Sequence, residues 1–222
     1  MKQVIQIRCK NNKKTQKVEI GSTLFDVFSS FDLKMTHGPV SARVNNKVEG
    51  MHYRVYNSKD VEFLDMTTAS GSRAYTRTLF FVLCKAVQDI YPATDVVIDI
   101  PVSNGFYVDI RLGRPVVDED VNIIRCRMQE IIDARMPIRR FTVPTEDAIT
   151  LFQEKGDVEK VKLLKTSGSI YTTYYKIGEY VDYYYGTLLT NTSQLYLFGL
   201  EKYYDGMLLR IPSLKNPDEL GE

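Results

Sequence analysis

The stretch from Val96 to Ile110 constrains this chain most. Apolar residues Val96, Val97, Ile98 and Ile100 lead into Pro101, Ser103-Asn104-Gly105 is a strong turn signal, and Phe106-Tyr107-Val108-Asp109-Ile110 alternates beyond it. Two such runs around a turn predict a β-hairpin. Before it, Tyr75, Leu79, Val82, Leu83, Ala86 and Ile90 recur at helical spacing up to Pro92. After it, Val121, Ile124, Met128, Ile131 and Ile132 do the same, with Asp118 as an expected cap and Pro137 as the stop. The middle of the chain is expected to be a helix, hairpin, helix unit.

The first 66 residues have a different rhythm. Val4–Ile7 and Gln16–Ile20 alternate around the polar turn Lys10-Asn11-Asn12-Lys13-Lys14, which predicts a hairpin. Ser22 is placed to cap a helix carrying Leu24, Phe25, Phe28 and Phe31 on one face, with Asp26 in its first turn. Short strands are expected at Val40–Val44, from Val48, and at Asp60–Leu64. Thr67–Ser72 is small and polar and reads as a linker. Further on, Pro144-Thr145-Glu146 opens a helix closed by Gly156, and Asp157 caps a short one through Leu164. Strand-like runs follow at 170–175, 179–185, 194–198 and 206–211, and the last ten residues read as a linker or a cut end.

Charge separates these parts. Net charge is +1, but residues 1–66 hold 11 Lys/Arg against 7 Asp/Glu, leaving the excess of acid to the remainder. The chain as a whole is therefore no polyelectrolyte, while its first part is basic. The dispersed cysteines Cys9, Cys84 and Cys126 fit a reducing compartment better than a disulfide framework. The two histidines, His37 and His52, both precede residue 66, so a Cys/His zinc cluster in the larger part is not expected. With no apolar run of membrane-spanning length, a cytoplasmic location and no membrane partner are expected.

Gly21-Ser-Thr-Leu24, Ala42-Arg-Val-Asn-Asn46 and Val61-Glu-Phe-Leu-Asp65 resemble the signposts of the ubiquitin-like TGS domain. Ala86-Val-Gln-Asp-Ile-Tyr-Pro92, Asn104-Gly-Phe-Tyr-Val-Asp109 and Gly178-Glu-Tyr-Val-Asp182 resemble the second additional domain with which threonyl- and alanyl-tRNA synthetases edit. The resemblance implies an α+β fold in two domains: a β-grasp TGS unit at 1–66, then an editing-domain-like unit of helices on an antiparallel sheet at 67–212, with 213–222 as linker. In that family a His-x-x-x-His helix and a Cys-x-x-x-His strand supply the hydrolytic and metal-binding set. The matching positions here are Arg77, Phe81, Tyr184 and Leu188. Phe and Leu offer no acid, base or ligand, so no catalytic and no metal residue is expected. Instead, Arg77, Phe81, Tyr184, Leu188, Asn104, Tyr107, Asp109 and Asp182 are expected to form a degenerate pocket for a small ligand or an RNA end.

A TGS domain followed by an editing-like domain without its metal residues is also similar to the N-terminal half of bacterial uridine kinase-like proteins, on Arg77–Ala86 and Tyr203–Pro212. That resemblance implies a regulatory module with a kinase domain in cis. ATP and Mg would belong to that kinase domain alone, since no Gly-x-x-x-x-Gly-Lys-Ser/Thr loop occurs in these residues. Rival readings are a free-standing aminoacyl-tRNA deacylase homologue and an RNA-binding adaptor. Arg73, Arg77 and Lys85 share one side of a helix, where they are placed to meet a phosphate or a carboxylate; the favoured reading puts Arg73 and Lys85 on a solvated face and Arg77 in the pocket. The tyrosines crowded into 171–204 read as strand residues, and Lys10, Lys13, Lys14 and Lys17 as a soluble basic turn with an alternative role on RNA phosphate. His37 and His52 read as ordinary loop histidines.

Overall fold

The computed structural model describes residues 3–102 and 105–221. The hairpin's turn residues Ser103 and Asn104, and with Asn104 one candidate pocket residue, lie outside them. The fold is mixed α/β, with three sheets and five α-helices among the described residues. Its elements fall into two compact units, residues 1–136 with 187–222, and residues 137–186. The boundary expected near residue 66 lies inside the larger unit.

In the larger unit, β1 (Val4–Cys9) and β2 (Thr15–Glu19) form the expected hairpin, and α1 (Leu24–Ser30), β3 (Ser41–Val44), β4 (Lys47–Glu49) and β5 (Lys59–Leu64) follow. The sheet order is β2-β1-β5-β3-β4, with β1 and β5 parallel and the other pairs antiparallel. Ile7, Cys9, Val44, Val61 and Phe63 bury themselves against Leu24, Val27 and Phe31 of the helical segment. Phe25, expected on that face, is 49% exposed, because one step of a helix turns it away from Leu24. The cap is Thr23 rather than Ser22: the Thr23 hydroxyl accepts from Asp26 N–H, while the Asp26 carboxylate accepts from Thr23 N–H at 2.9 Å.

The expected linker is instead the opening of α2 (Ala69–Ile90). Thr68 caps it, accepting from Gly71 N–H at 3.0 Å. The small residues read as linker composition serve here as packing: Gly71 and Ser72 are buried, and Gly71 lies hard against the Asp65 carbonyl. The helix is buried on most sides, from Ala74 through Val87, and packs on β3 and on β6 and α3, described next. Lys85, expected to be solvated, is 8% exposed and ion-paired with Asp89 one turn on.

The hairpin appears as β6 (Val96–Val102) and β7 (Gly105–Ile110), with its register shifting between Ile98 and Pro101. Next comes α3 (Asp118–Asp133). Its cap position is Val117, not Asp118; Asp120 accepts the Val117 N–H at 2.9 Å, as the third helical residue of a capping box does. Asp120 also accepts from both guanidinium nitrogens of Arg114 and from the Tyr91 hydroxyl, at 2.6–2.8 Å.

Residues 137–186 hold β8 (Arg139–Pro144), which the sequence reading did not anticipate, then α4 (Thr145–Glu154), α5 (Val158–Thr166), β9 (Tyr171–Ile177) and β10 (Tyr180–Tyr183). The sheet order is β10-β9-β8, antiparallel throughout, over a core of Ala148, Phe152, Val161, Leu164 and Val181. Asp157 caps α5 as expected, accepting from Lys160 N–H.

Back in the larger unit, β11 (Gly199–Tyr203) and β12 (Gly206–Arg210) complete a sheet of order β11-β12-β7-β6. The strand expected at 194–198 is absent. A 3-10 turn at Thr192–Gln194 comes first, and the N–H groups of Tyr196 and Leu197 then both donate to the buried Tyr75 hydroxyl at 3.0 Å. That hydroxyl donates to the Leu197 carbonyl, so a side chain does the work of a neighbouring strand. Residues 213–221 fold back, with Ser213 N–H on Glu219 O, Gly221 N–H on Ile211 O and the Tyr196 hydroxyl on Pro217 O. His37 stacks on Tyr196 at 3.7 Å and contacts the Asp218 carboxylate at 2.8 Å, so it is a packed residue rather than a loose one. Among the described residues no helix is long and apolar enough to cross a membrane.

Candidate functional site

Helix α2 presents Arg77 and Phe81 one turn apart, and Thr78 between them fixes what lies alongside. The Thr78 hydroxyl donates to the Ala74 carbonyl at 2.8 Å and accepts the Leu189 N–H at 2.9 Å. This stitch sets Leu188 and Leu189 beside the stretch of α2 that carries Arg77 and Phe81. Phe81, Leu188 and Leu189 are at most 1% exposed, and Arg77 is half-buried with interactions of its own. Neither Phe81 nor Leu188 can move a proton or bind a metal. Thr78 itself was not singled out in the sequence, where a lone threonine in an apolar stripe carries no signal. Thr78→Val is expected to cost about 1–3 kcal/mol, by leaving the Leu189 N–H buried and unpaired, and Thr78→Ser to restore most of it. Chemical denaturation of the three proteins checks this.

The other expected pocket residues lie on other elements. Phe106 packs edge-on against Phe80 of α2, with ring centres 4.9 Å apart, so the α2-facing side of β7 carries Phe106 and Val108. Tyr107 and Asp109, at alternate positions, take the other side. The Tyr107 ring meets Tyr203 and lies over Gly206, where a Cβ would come within 2.7 Å of its hydroxyl. Burial, with Asp109 and Asp205 nearby, pushes the Tyr107 phenol up from its ordinary pKa.

Asp182 and Tyr184 belong to the 137–186 unit. The Asp182 carboxylate, 6% exposed, accepts from Lys160 Nζ at 2.7 Å, the Tyr180 hydroxyl and the Tyr183 N–H. Lys160 also holds Asp157 and lies 5.8 Å from the centre of the Phe152 ring. The two carboxylates outweigh the desolvation of Lys160 and raise its pKa, which keeps it charged and makes it no nucleophile. Asp182 thus pairs structurally.

Two surface concavities lie elsewhere, both in the larger unit. One, of about 460 Å³, is bounded by Gln6, Arg8, Thr15, Asn45, Ser58, Lys59 and Asp60. The other, of about 360 Å³, lies between Arg125, Cys126 and Gln129 of α3 and Tyr196–Phe198. Neither is lined by an expected pocket residue. Among the described residues no group of three or more His, Cys, Asp or Glu side chains is placed to hold a metal ion.

No family model matches this chain. It is similar to the threonine–tRNA ligase of Acetivibrio thermocellus, 29% identical over 181 residues, which are 81% of this chain and 28% of the ligase. The ligase of Clostridium kluyveri is 28% identical over 193 residues, 86% of this chain and 30% of the ligase. That of Clostridioides difficile is 28% identical over 174 residues, 78% and 27% respectively. The chain therefore spans less than a third of the length of these relatives. The likeness supports a region resembling the N-terminal part of threonyl-tRNA synthetases and lends nothing to the uridine kinase resemblance.

Proposed function

We propose that this chain is a tRNA-related recognition module, synthetase-derived and without hydrolytic chemistry. In this reading residues 1–66 are a TGS-like β-grasp unit and 67–212 an editing-domain-like unit. The five-stranded sheet with its parallel β1–β5 pair and the packed α1 support the first part. One observation carries the proposal. Over some four-fifths of its length the chain is similar to threonine–tRNA ligases, yet the positions matching the family's hydrolytic set include the buried hydrocarbons Phe81 and Leu188.

The expected result is salt-sensitive binding of a labelled tRNA transcript, with no release of amino acid from mischarged tRNA above the uncatalysed rate. Absence of tRNA binding at low salt would remove the reading; release of amino acid would replace it with a deacylase. The kinase-linked reading, with ATP and Mg serving a domain in cis, rests on the sequence resemblance alone, and uridine phosphorylation by the parent protein is its test.

A further inference from the structure

The turn between β1 and β2 is basic and held in place. Lys10, Lys13, Lys14 and Lys17 are all exposed, and no ion pair reaches any of them among the described residues. The turn that presents them is not a loose tip. Both ends of the Asn11 amide bond the Phe63 backbone, the nitrogen to its carbonyl at 2.9 Å and the oxygen to its N–H at 2.8 Å. Asn12 donates to the Phe31 carbonyl and accepts from Lys14 N–H, Cys9 N–H meets Lys14 O, and Lys10 N–H meets Val61 O. Lys13 takes a positive φ of 59° to close the turn.

On the same sheet, Gln6 pairs in register with Lys17, and Arg8 with Thr15. Gln6, Arg8 and Thr15 continue into the 460 Å³ groove, whose other walls are Asn45, Ser58, Lys59 and Asp60. Hydrogen-bond donors line it throughout, and its one carboxylate, Asp60, is already paired with Arg8. Glu62, the next acid on β5, is held by Arg43. The free charge of this surface is therefore positive.

We infer that the basic turn and the groove beside it form a binding surface for the phosphate backbone of RNA. A protein partner would call for an apolar centre to the patch and a membrane for inserting hydrophobics, and the groove's lining has neither. A polar, positive, pre-ordered surface fits a phosphate chain. The inference rests on the tRNA-related reading above and names the surface through which it acts.

The test is the full chain with Lys10→Gln, Lys13→Gln, Lys14→Gln and Lys17→Gln combined, titrated with a labelled tRNA transcript across a salt series. A control variant carries Lys155→Gln, Lys162→Gln and Lys165→Gln, exposed lysines of the 137–186 unit. The four-lysine variant is expected to lose roughly 10- to 100-fold in affinity at moderate salt, with the log–log salt slope shallower by about 2–3. The control is expected to stay within about twofold, and the thermal melts of all three to coincide. If wild type binds tRNA and the four-lysine variant keeps its affinity and slope, the surface is wrong while the functional reading stands. If wild type binds no tRNA, both fall. Equal binding of polyglutamate or of anionic phosphatidylserine vesicles by the same lysines would overturn RNA as the occupant.

Discussion

Gly71→Ala is expected to destabilise the chain by about 3 kcal/mol or more, although it adds a single methyl group. A Cβ at this position would stand 1.8 Å from the Asp65 carbonyl oxygen, 2.6 Å from its carbon and 2.7 Å from Val40 Cγ2. The first obstacle is backbone, and that backbone is committed: the Asp65 carbonyl accepts from both the Thr68 N–H and the Thr68 hydroxyl. Relief requires the start of α2 to withdraw from the five-stranded sheet. Thr68→Ala, which removes the cap and the hydroxyl's bond to the Asp65 carbonyl but adds nothing at Gly71, is expected to cost about 1–2 kcal/mol. Thermal denaturation separates them, with an expected drop of some 6–12 °C for Gly71→Ala. A melting point within 2 °C of wild type would show that α2 does not begin against Asp65.

Asp120→Ala is expected to cost about 3 kcal/mol at neutral pH. The Asp120 carboxylate is nearly inaccessible and gathers Arg114, Tyr91 and the Val117 N–H, tying the end of α2, the segment before α3 and the first turn of α3 to one point. The Arg114 hydrogen bonds, aided by those from Tyr91 and Val117, hold its pKa well below the ordinary carboxylate value. A depressed folded-state pKa means that the stabilisation is complete above the unfolded value of about 3.9 and drains as pH falls through the lower folded value. Urea titrations of wild type and variant should therefore differ by the full amount at pH 7, begin to converge below about pH 4, and meet only as pH falls through the lower folded value. A gap that stays constant with pH would assign the loss to packing and not to the carboxylate.

These two residues also mark where sequence reasoning stops. The alternating runs at 4–7 and 16–20, the helical stripes of α2 and α3 and the β6–β7 hairpin follow from local periodicity, and each has its element in the fold, with β1 running on to Cys9 and β2 spanning Thr15–Glu19. Gly71 sits in a Thr-Thr-Ala-Ser-Gly-Ser run whose composition matches a linker. What makes it helix is a close approach to a carbonyl six residues earlier, which no local pattern encodes. Tyr196 and Leu197 have the composition of a strand, yet their N–H groups are satisfied by a tyrosine hydroxyl more than a hundred residues away. In strand β8, Arg139 and Arg140 dilute the apolar signal, as suits an edge strand.

The site was legible in part for the same reason. Arg77 and Phe81 share a helix face by spacing alone, whereas the Thr78–Leu189 bond that holds the 188–189 segment beside α2 joins residues more than a hundred positions apart. The side of the sheet taken by Tyr107 and Asp109 depends on which face of β7 meets Phe80, and that is set by tertiary packing.

The segment 137–186 leaves and rejoins the larger unit at one seam. Met136 N–H donates to the Thr192 hydroxyl, Thr192 N–H to the Met136 carbonyl, the Thr192 hydroxyl to the Ile131 carbonyl, and the Asn191 amide to the Arg135 carbonyl. The flanking chain is thus closed on itself whatever lies between its two ends. For the larger unit the intervening residues amount to one long loop, whose closure entropy grows only with the logarithm of its length. Such a seam lets natural variation lengthen, shorten or exchange the 137–186 segment while the surrounding core keeps its own contacts.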